Sequence, residues 1–387
     1  MHIFGTIFIT LATMLLILLF SKGMNLKTSW IDVLYVGISF FVLALFHVGV
    51  DINSVEDLPK YSRDFITISS SPIGQIFDFS ETSDHMYSLL NKMVSLFTDD
   101  FSMFLLVYNV ILLCSHFYFF KSYSPYIPLS ILLFILLSYN QSLFVLRQYL
   151  ALSIILFSVP CIIKKELGKF ILLCIIAFFF HSSSVVWFQV YFIYNIRDKK
   201  YFFMVLIFVL LLIAVVSYSL RDFMFLFGSH YVEYIEQQEN AYGAIVVRLF
   251  YFLTYGLFLK KHVMDDGINK LCFMALFIVL VVFMFDPPLR SVSRLLHYFT
   301  TLSMISIPIT LKYMKSAILR LMFLSLTVWF YGQQYLSGLK EDYFSNYQFI
   351  NPSIIVYIII GAFSIYIVLK NSGRRIKKKQ IIQPISM

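Results

Sequence analysis

The chain has 387 residues, of which 60% are hydrophobic, 19% aromatic and 13% charged. Soluble domains carry roughly 45–50% apolar and about 25% charged residues, and a globule of this size has too little interior to hide the excess. Water-soluble, disordered, collagen-like and coiled-coil chains are therefore excluded, and the missing interior has to be lipid. The formal net charge of +9 does not point to nucleic acid, because Lys370, Arg374, Arg375, Lys377, Lys378 and Lys379 form one C-terminal run. A basic tail just past an apolar segment is an anchor at the anionic cytoplasmic leaflet. Cys114, Cys161, Cys174 and Cys272 lie in or beside apolar stretches. Their spacing fits no metal pattern, and they read as inert packing.

A bilayer core of about 30 Å needs roughly 17–25 apolar residues per helical crossing. In chain order such runs fall near 3–20, 30–50, 101–120, 125–139, 143–163, 201–220, 244–260, 271–285, 293–312, 317–334 and 353–370. The stretch 169–196 is long for one crossing and short for two. Basic residues settle it. Lys164, Lys165 and Lys169 precede the stretch and Arg197, Lys199 and Lys200 follow it, so both ends belong on the cytoplasmic side. Two short crossings or a re-entrant hairpin satisfy this. The expected fold is an all-α polytopic membrane protein of about thirteen transmembrane helices, including this broken hairpin. Residues 1–370 form one transmembrane domain and 371–387 a basic cytoplasmic tail.

The first run has no basic residue before it, while Lys22 and Lys27 follow. It is not a cleaved signal peptide, and the N-terminus faces outward with the C-terminus inside. This topology puts 21 of the 30 basic residues but only 5 of the 21 acids inside. The outer loops are 51–100 and 221–243, with a smaller one at 335–352; Met86–Phe97 has the spacing of an amphipathic surface helix. No fixed-period repeat or matched pair of broken helices points to a secondary transporter.

Three basic residues defy the trend. Arg147 (SLFVLRQYLALS), Arg248 (GAIVVRLFYFL) and Arg294 (SRLLHYFTTL) sit at the outer ends of separate spans. A charge at membrane depth costs about 2.5 kcal/mol or more if it faces lipid. No carboxylate is expected opposite them, apart from Asp51, Asp222 and Asp286 at loop edges. Surplus positive charge implies an anionic ligand, and the planar arginine fork suits phosphate. The competing reading is that these side chains snorkel to the headgroups. Gln148 adds an amide beside Arg147.

His181 lies at the apex of the 169–196 hairpin (AFFFHSSSVVW). Ser182, Ser183 and Ser184 are placed to cap the returning helix, whose N-terminus offers N–H groups to an anion. A membrane histidine also serves as a helix–helix hydrogen bonder, so a base and a strut both remain open. His297 and Tyr298 follow Arg294 by about one turn. Asp51, just after His47, is the best-placed outer carboxylate for general-base work, or simply a cap. The chain has no phosphate-cradling glycine loop with a following lysine, no His-Glu-x-x-His, no Cys-x-x-Cys and no Gly-x-Ser-x-Gly. Nucleotide hydrolysis, zinc chemistry and a serine nucleophile lack their parts; no metal and no cofactor is expected.

These residues resemble the bacterial polysaccharide polymerases of the EpsG-like and O-antigen polymerase (Wzy) type. The likeness runs from Gly49-Val50-Asp51 with Tyr61 and Phe65, through MYSLLNKMVSLF, LRQYLALSIIL and KKELGKF…AFFFHSSS, to VVRLFYFL, SRLLHYF and Pro308. The outer loop departs from it in lacking a clear acidic pair. The resemblance implies an inner-membrane glycosyltransferase, facing the periplasm or cell exterior, that joins undecaprenyl-diphosphate-linked oligosaccharide units into polymer. Its partners would be those lipid-linked glycans, membrane lipids and a chain-length regulator. Arg147, Gln148, Arg248, Arg294, His297 and Tyr298 would bind the diphosphate, with His181 or Asp51 as base. A flippase for the same glycan, an O-antigen ligase and a non-catalytic scaffold are the competing functions.

Overall fold

The computed structural model describes residues 28–55, 57–74, 84–209, 211–212, 242–265, 267–285 and 296–338. Among the described residues there are helices and connecting turns but no β-strand. The helices are α1 (Thr28–Val48), α2 (Leu58–Ser70), α3 (His85–Ser95), α4 (Phe101–Tyr123), α5 (Ile127–Phe134), α6 (Leu146–Ile163), α7 (Leu167–Phe180) and α8 (Phe188–Asn195). After a helical stretch at 199–209 come α9 (Tyr242–Leu259), α10 (Ile268–Phe285), α11 (His297–Tyr313) and α12 (Ala317–Gly338). They overlay the expected spans from 30–50 to 317–334, except that the span 201–220 is described only as far as residue 212. The spans 3–20 and 353–370, the basic tail and most of the 221–243 loop lie outside the described residues. Helices α4 and α6 are each long and apolar enough to cross a bilayer. Side chains such as Leu172, Ile207, Leu257, Ile318 and Leu321 are exposed, as expected of faces bathed in hydrocarbon.

The chain divides into two compact units. One takes the described residues up to Ser70 together with Asn91–Phe117. In it the part of the expected 51–100 loop that runs from Leu58 to Ser70 is helical. Leu58, Tyr61 and Phe65 share one helical face of α2 and are buried, and Phe65 packs on Phe101 and Phe104 at 5.9 Å each. Lys92 Nζ donates to the Ser69 carbonyl at 2.7 Å, a cation closing the C-terminal end of α2. His47 of α1 meets Asn109 of α4 at 2.5 Å, a helix–helix polar contact.

The second unit comprises Ser71–Leu90 and Tyr118–Glu341. Here α6 turns directly into α7. Glu166 N donates to the Cys161 carbonyl at 2.8 Å, and Lys165 takes the left-handed conformation at φ 61, a conformation that favours glycine. The 169–196 stretch is then a true hairpin. Helix α7 has 14 residues, about 21 Å of rise. His181 is extended, and the chain returns through a 3-10 turn, Ser182–Trp187, into α8. Phe170 at the start of α7 stacks on Tyr191 near the end of α8, ring centroids 5.0 Å apart, so the arms are antiparallel. The expected serine cap is corrected: extended His181 holds the cap position, the three serines fall inside the turn, and no side chain caps it.

Two further contacts fix the hairpin. Trp187 Nε1 donates to Ser158 Oγ of α6 at 3.0 Å, and its ring lies 5.6 Å from Phe299 of α11. At the other end, buried Lys270 donates to the Ile196 carbonyl at 2.6 Å and faces the Phe202 ring at 4.8 Å. A cation at a helix C-terminus satisfies an orphan carbonyl and complements the dipole. Antiparallel arms leave both ends of the stretch at the same end of the hairpin. Single cysteines at positions 165 and 198, in a cysteine-free background, are therefore expected to react with an impermeant maleimide from the same face. Labelling from opposite faces would show a single crossing instead.

Candidate active site

A short helical turn, Gln141–Phe144, precedes α6 and is separated from it by Val145, at φ −120 and ψ 59. Arg147 was expected one turn inside a span beginning at 143. Instead α6 starts at Leu146, so Arg147, Gln148 and Tyr149 occupy its first turn. The earliest backbone N–H groups there have no intrahelical acceptor, Tyr149 N being the one that reaches the Val145 carbonyl at 3.1 Å, and the dipole is positive.

Successive side chains of this turn reach three different partners. Arg147 Nη1 donates to Asp84 Oδ2 at 2.8 Å, with the guanidinium 5.5 Å from the centre of the Tyr87 ring. Gln148 is buried and lies within hydrogen-bonding reach of the Tyr298 hydroxyl. The Tyr149 hydroxyl stands 3.5 Å from His297 Nδ1, and the two rings are 5.5 Å apart. From the hairpin apex, Ser183 Oγ shares a hydrogen bond with the Tyr298 hydroxyl at 2.9 Å. His181 Nδ1 lies 3.7 Å from Asp84 Oδ1. One carboxylate thus stands between a guanidinium and an imidazole, at the junction of α3, α6, the hairpin and α11.

Asp84 ends the segment leading into α3, and its carbonyl accepts from Ser88 N at 3.1 Å. Its side chain is 8% exposed, against 27% for Arg147. Burial raises the Asp84 pKa, but the His181 and Arg147 neighbours more than offset it and hold the carboxyl below its ordinary value. It is ionised at neutral pH.

This corrects the expectation that no carboxylate faces Arg147. The sequence offers one signal for Asp84, its place just before an amphipathic helix, where Asp is a favoured first residue. Nothing in the pattern separates it from the other outer acids. Of the expected site residues, Arg147, Gln148, His181, His297 and Tyr298 gather here. Asp51 belongs to the other unit, where its carboxylate accepts from Asn53 N at 3.0 Å and caps a short turn. Arg248 of α9 stands 4.3 Å over the Phe283 ring, in an aromatic setting with Tyr251 and Tyr331. Arg294 lies outside the described residues. Among the described residues no three His, Cys, Asp or Glu side chains gather as metal ligands.

Apolar helices with outward hydrocarbon faces around an ordered polar cluster define a helical integral membrane protein. The chain belongs to the EpsG family, whose profile matches residues 33–351, a family of polysaccharide polymerase-like proteins. No curated protein and no solved structure matches it.

The pair has a pH signature. A depressed carboxylate stabilises the fold above its unfolded pKa of about 3.9, and the contribution disappears as pH falls through the lower folded value. Wild type is expected to exceed Asp84→Asn by roughly 1.5–3 kcal/mol, the value of a hydrogen bond to a charged group. In detergent thermal-unfolding scans from pH 3 to 7, the gap stays full down to about pH 4 and narrows below it. A gap independent of pH would contradict an ionised pair.

Proposed function

We propose that the chain is a glycosyltransferase that polymerises undecaprenyl-diphosphate-linked oligosaccharide units at the outer face of the bacterial inner membrane. In this reading the chain crosses about thirteen times, N-terminus out and C-terminus in. The observation that carries it is the Asp84–Arg147–His181 cluster. Arg147 is not a snorkelling side chain but one fixed by a carboxylate and an aromatic face beside a half-buried histidine. An arginine held in place loses little freedom on meeting an anion, and part of its side chain is still exposed.

The chemistry follows from what such a site is suited to. A lipid diphosphate keeps its phosphates at the membrane boundary, and charge builds on it as the sugar departs. Fixed donors aimed at that charge stabilise the transition state. Arg147 does this work, helped by Gln148, Tyr298 and His297. Arg294, three residues before His297 in the sequence, supplies further positive charge, and Arg248, set over Phe283 outside the cluster, is a separate cation for the lipid-linked substrate. His181 takes the proton of the acceptor hydroxyl. Membership of a polysaccharide polymerase-like family supports the same reading.

Arg147→Ala, Arg248→Ala and Arg294→Ala are each expected to abolish polymer while the protein still inserts, read as glycan ladders on gels beside membrane immunoblots. Normal ladders in all three variants would reject the proposal. A deletion strain is expected to display single repeat units on its surface. Complete absence of surface glycan would indicate a flippase or ligase.

A further inference from the structure

Asp84 touches both halves of this cluster. On one side it accepts from Arg147 at 2.8 Å; on the other, His181 Nδ1 faces it at 3.7 Å. That nitrogen is itself buried, whereas the His181 side chain as a whole is 31% exposed. The accessible part of the ring is therefore the side away from Asp84, the side that carries Nε2. At 3.7 Å the contact is longer than a hydrogen bond, so the carboxylate acts on the ring through its charge, favouring the orientation that keeps Nδ1 toward Asp84 and the imidazolium that forms when Nε2 accepts a proton. Ser183 tethers the segment just after His181 to Tyr298, so the hairpin apex is held at two points.

We infer that Asp84 is a positioning residue for His181, turning the ring so that Nε2 is presented to the acceptor sugar while the same carboxylate holds Arg147 toward the donor diphosphate. The inference rests on the transferase reading above and adds to it the residue that couples the two substrate halves. In the step it serves, the acceptor hydroxyl oxygen forms a bond to the donor's anomeric carbon. The bond from that carbon to the diphosphate oxygen breaks, and its electron pair leaves with the lipid diphosphate. The hydroxyl proton passes to His181 Nε2 and is then released to water. Asp84 does not itself take the proton; it favours the imidazolium that forms beside it.

Asp84→Asn separates this role from simple packing. The amide keeps the size of the side chain and an oxygen able to accept from Arg147, but loses the charge that orients His181. The test uses the full-length protein in proteoliposomes, with an undecaprenyl-diphosphate-linked oligosaccharide as donor and acceptor. It compares Asp84→Asn, Asp84→Glu, His181→Gln and the double variant Asp84→Asn/His181→Gln. Asp84→Asn is expected to lower kcat by about 10²-fold, the size of a general-base contribution, with KM nearly unchanged. The double variant is expected to be no slower than His181→Gln alone, because groups acting as one unit are not additive. Asp84→Glu, which keeps the charge, is expected to recover most of kcat, and it decides the question if Asp84→Asn does not insert.

Losses that multiply in the double variant, or a glutamate no better than the amide, overturn the inference. So does Asp84→Asn at the wild-type rate beside an inactive His181→Gln, and that result leaves the transferase reading standing. Full polymerisation by both His181→Gln and Arg147→Ala removes the transferase reading itself.

Discussion

The ion pair between Arg147 and Asp84 is the interaction on which the second unit is organised. A guanidinium beside apolar helices needs a partner, since facing hydrocarbon costs it several kcal/mol. Here the partner comes from a segment 63 residues earlier in the chain. Breaking such a pair by removing one member leaves an uncompensated charge and is far worse than never having it. The pair therefore fixes where α3 begins relative to the first turn of α6. Everything polar nearby then has a place: His181 3.7 Å from the second carboxylate oxygen, Gln148 and Ser183 by Tyr298, and Tyr149 by His297.

The hairpin explains how a histidine reaches that place. Helix α7 ends at Phe180, the chain turns back at His181, and Ser183 just beyond it meets Tyr298 of α11. Its outer faces are aliphatic and aromatic, but Trp187 ties one arm to Ser158 of α6 and Lys270 closes the far end on the Ile196 carbonyl. Rigid anchors at both ends leave the apex positioned by structure rather than by ligand. A site built on helix ends and held by neighbouring side chains is pre-organised for charge that develops during reaction.

Much of the architecture was legible in the sequence because bilayer thickness and apolar run length are tied by geometry. The described helices overlay the expected spans, and flanking lysines foretold the hairpin that its antiparallel arms display. Short-range chemistry was less visible. The break at Val145 has no glycine or proline near it; the closest prolines are Pro128 and Pro160. Nothing therefore signalled that Arg147 would open a helix rather than sit inside one. Helix α2 could have been found from Leu58, Tyr61 and Phe65, but its polar face made the segment read as loop. Asp84 was hidden because a carboxylate in an acidic outer segment has no period, and only the fold brings it to Arg147. Three arginines at one apparent depth suggested convergence, yet Arg248 lies over an aromatic ring.

Arg147 either meets a prenyl diphosphate or serves Asp84 alone. The direct measurement is the affinity of undecaprenyl diphosphate for wild type and for Arg147→Gln, each in nanodiscs of the same lipid. Loss of a charge-assisted hydrogen bond of roughly 1.5–3 kcal/mol corresponds to about 10–100-fold weaker binding, and that is the predicted result. Equal affinities for the two proteins would contradict it and leave Arg147 as a structural partner of Asp84 alone.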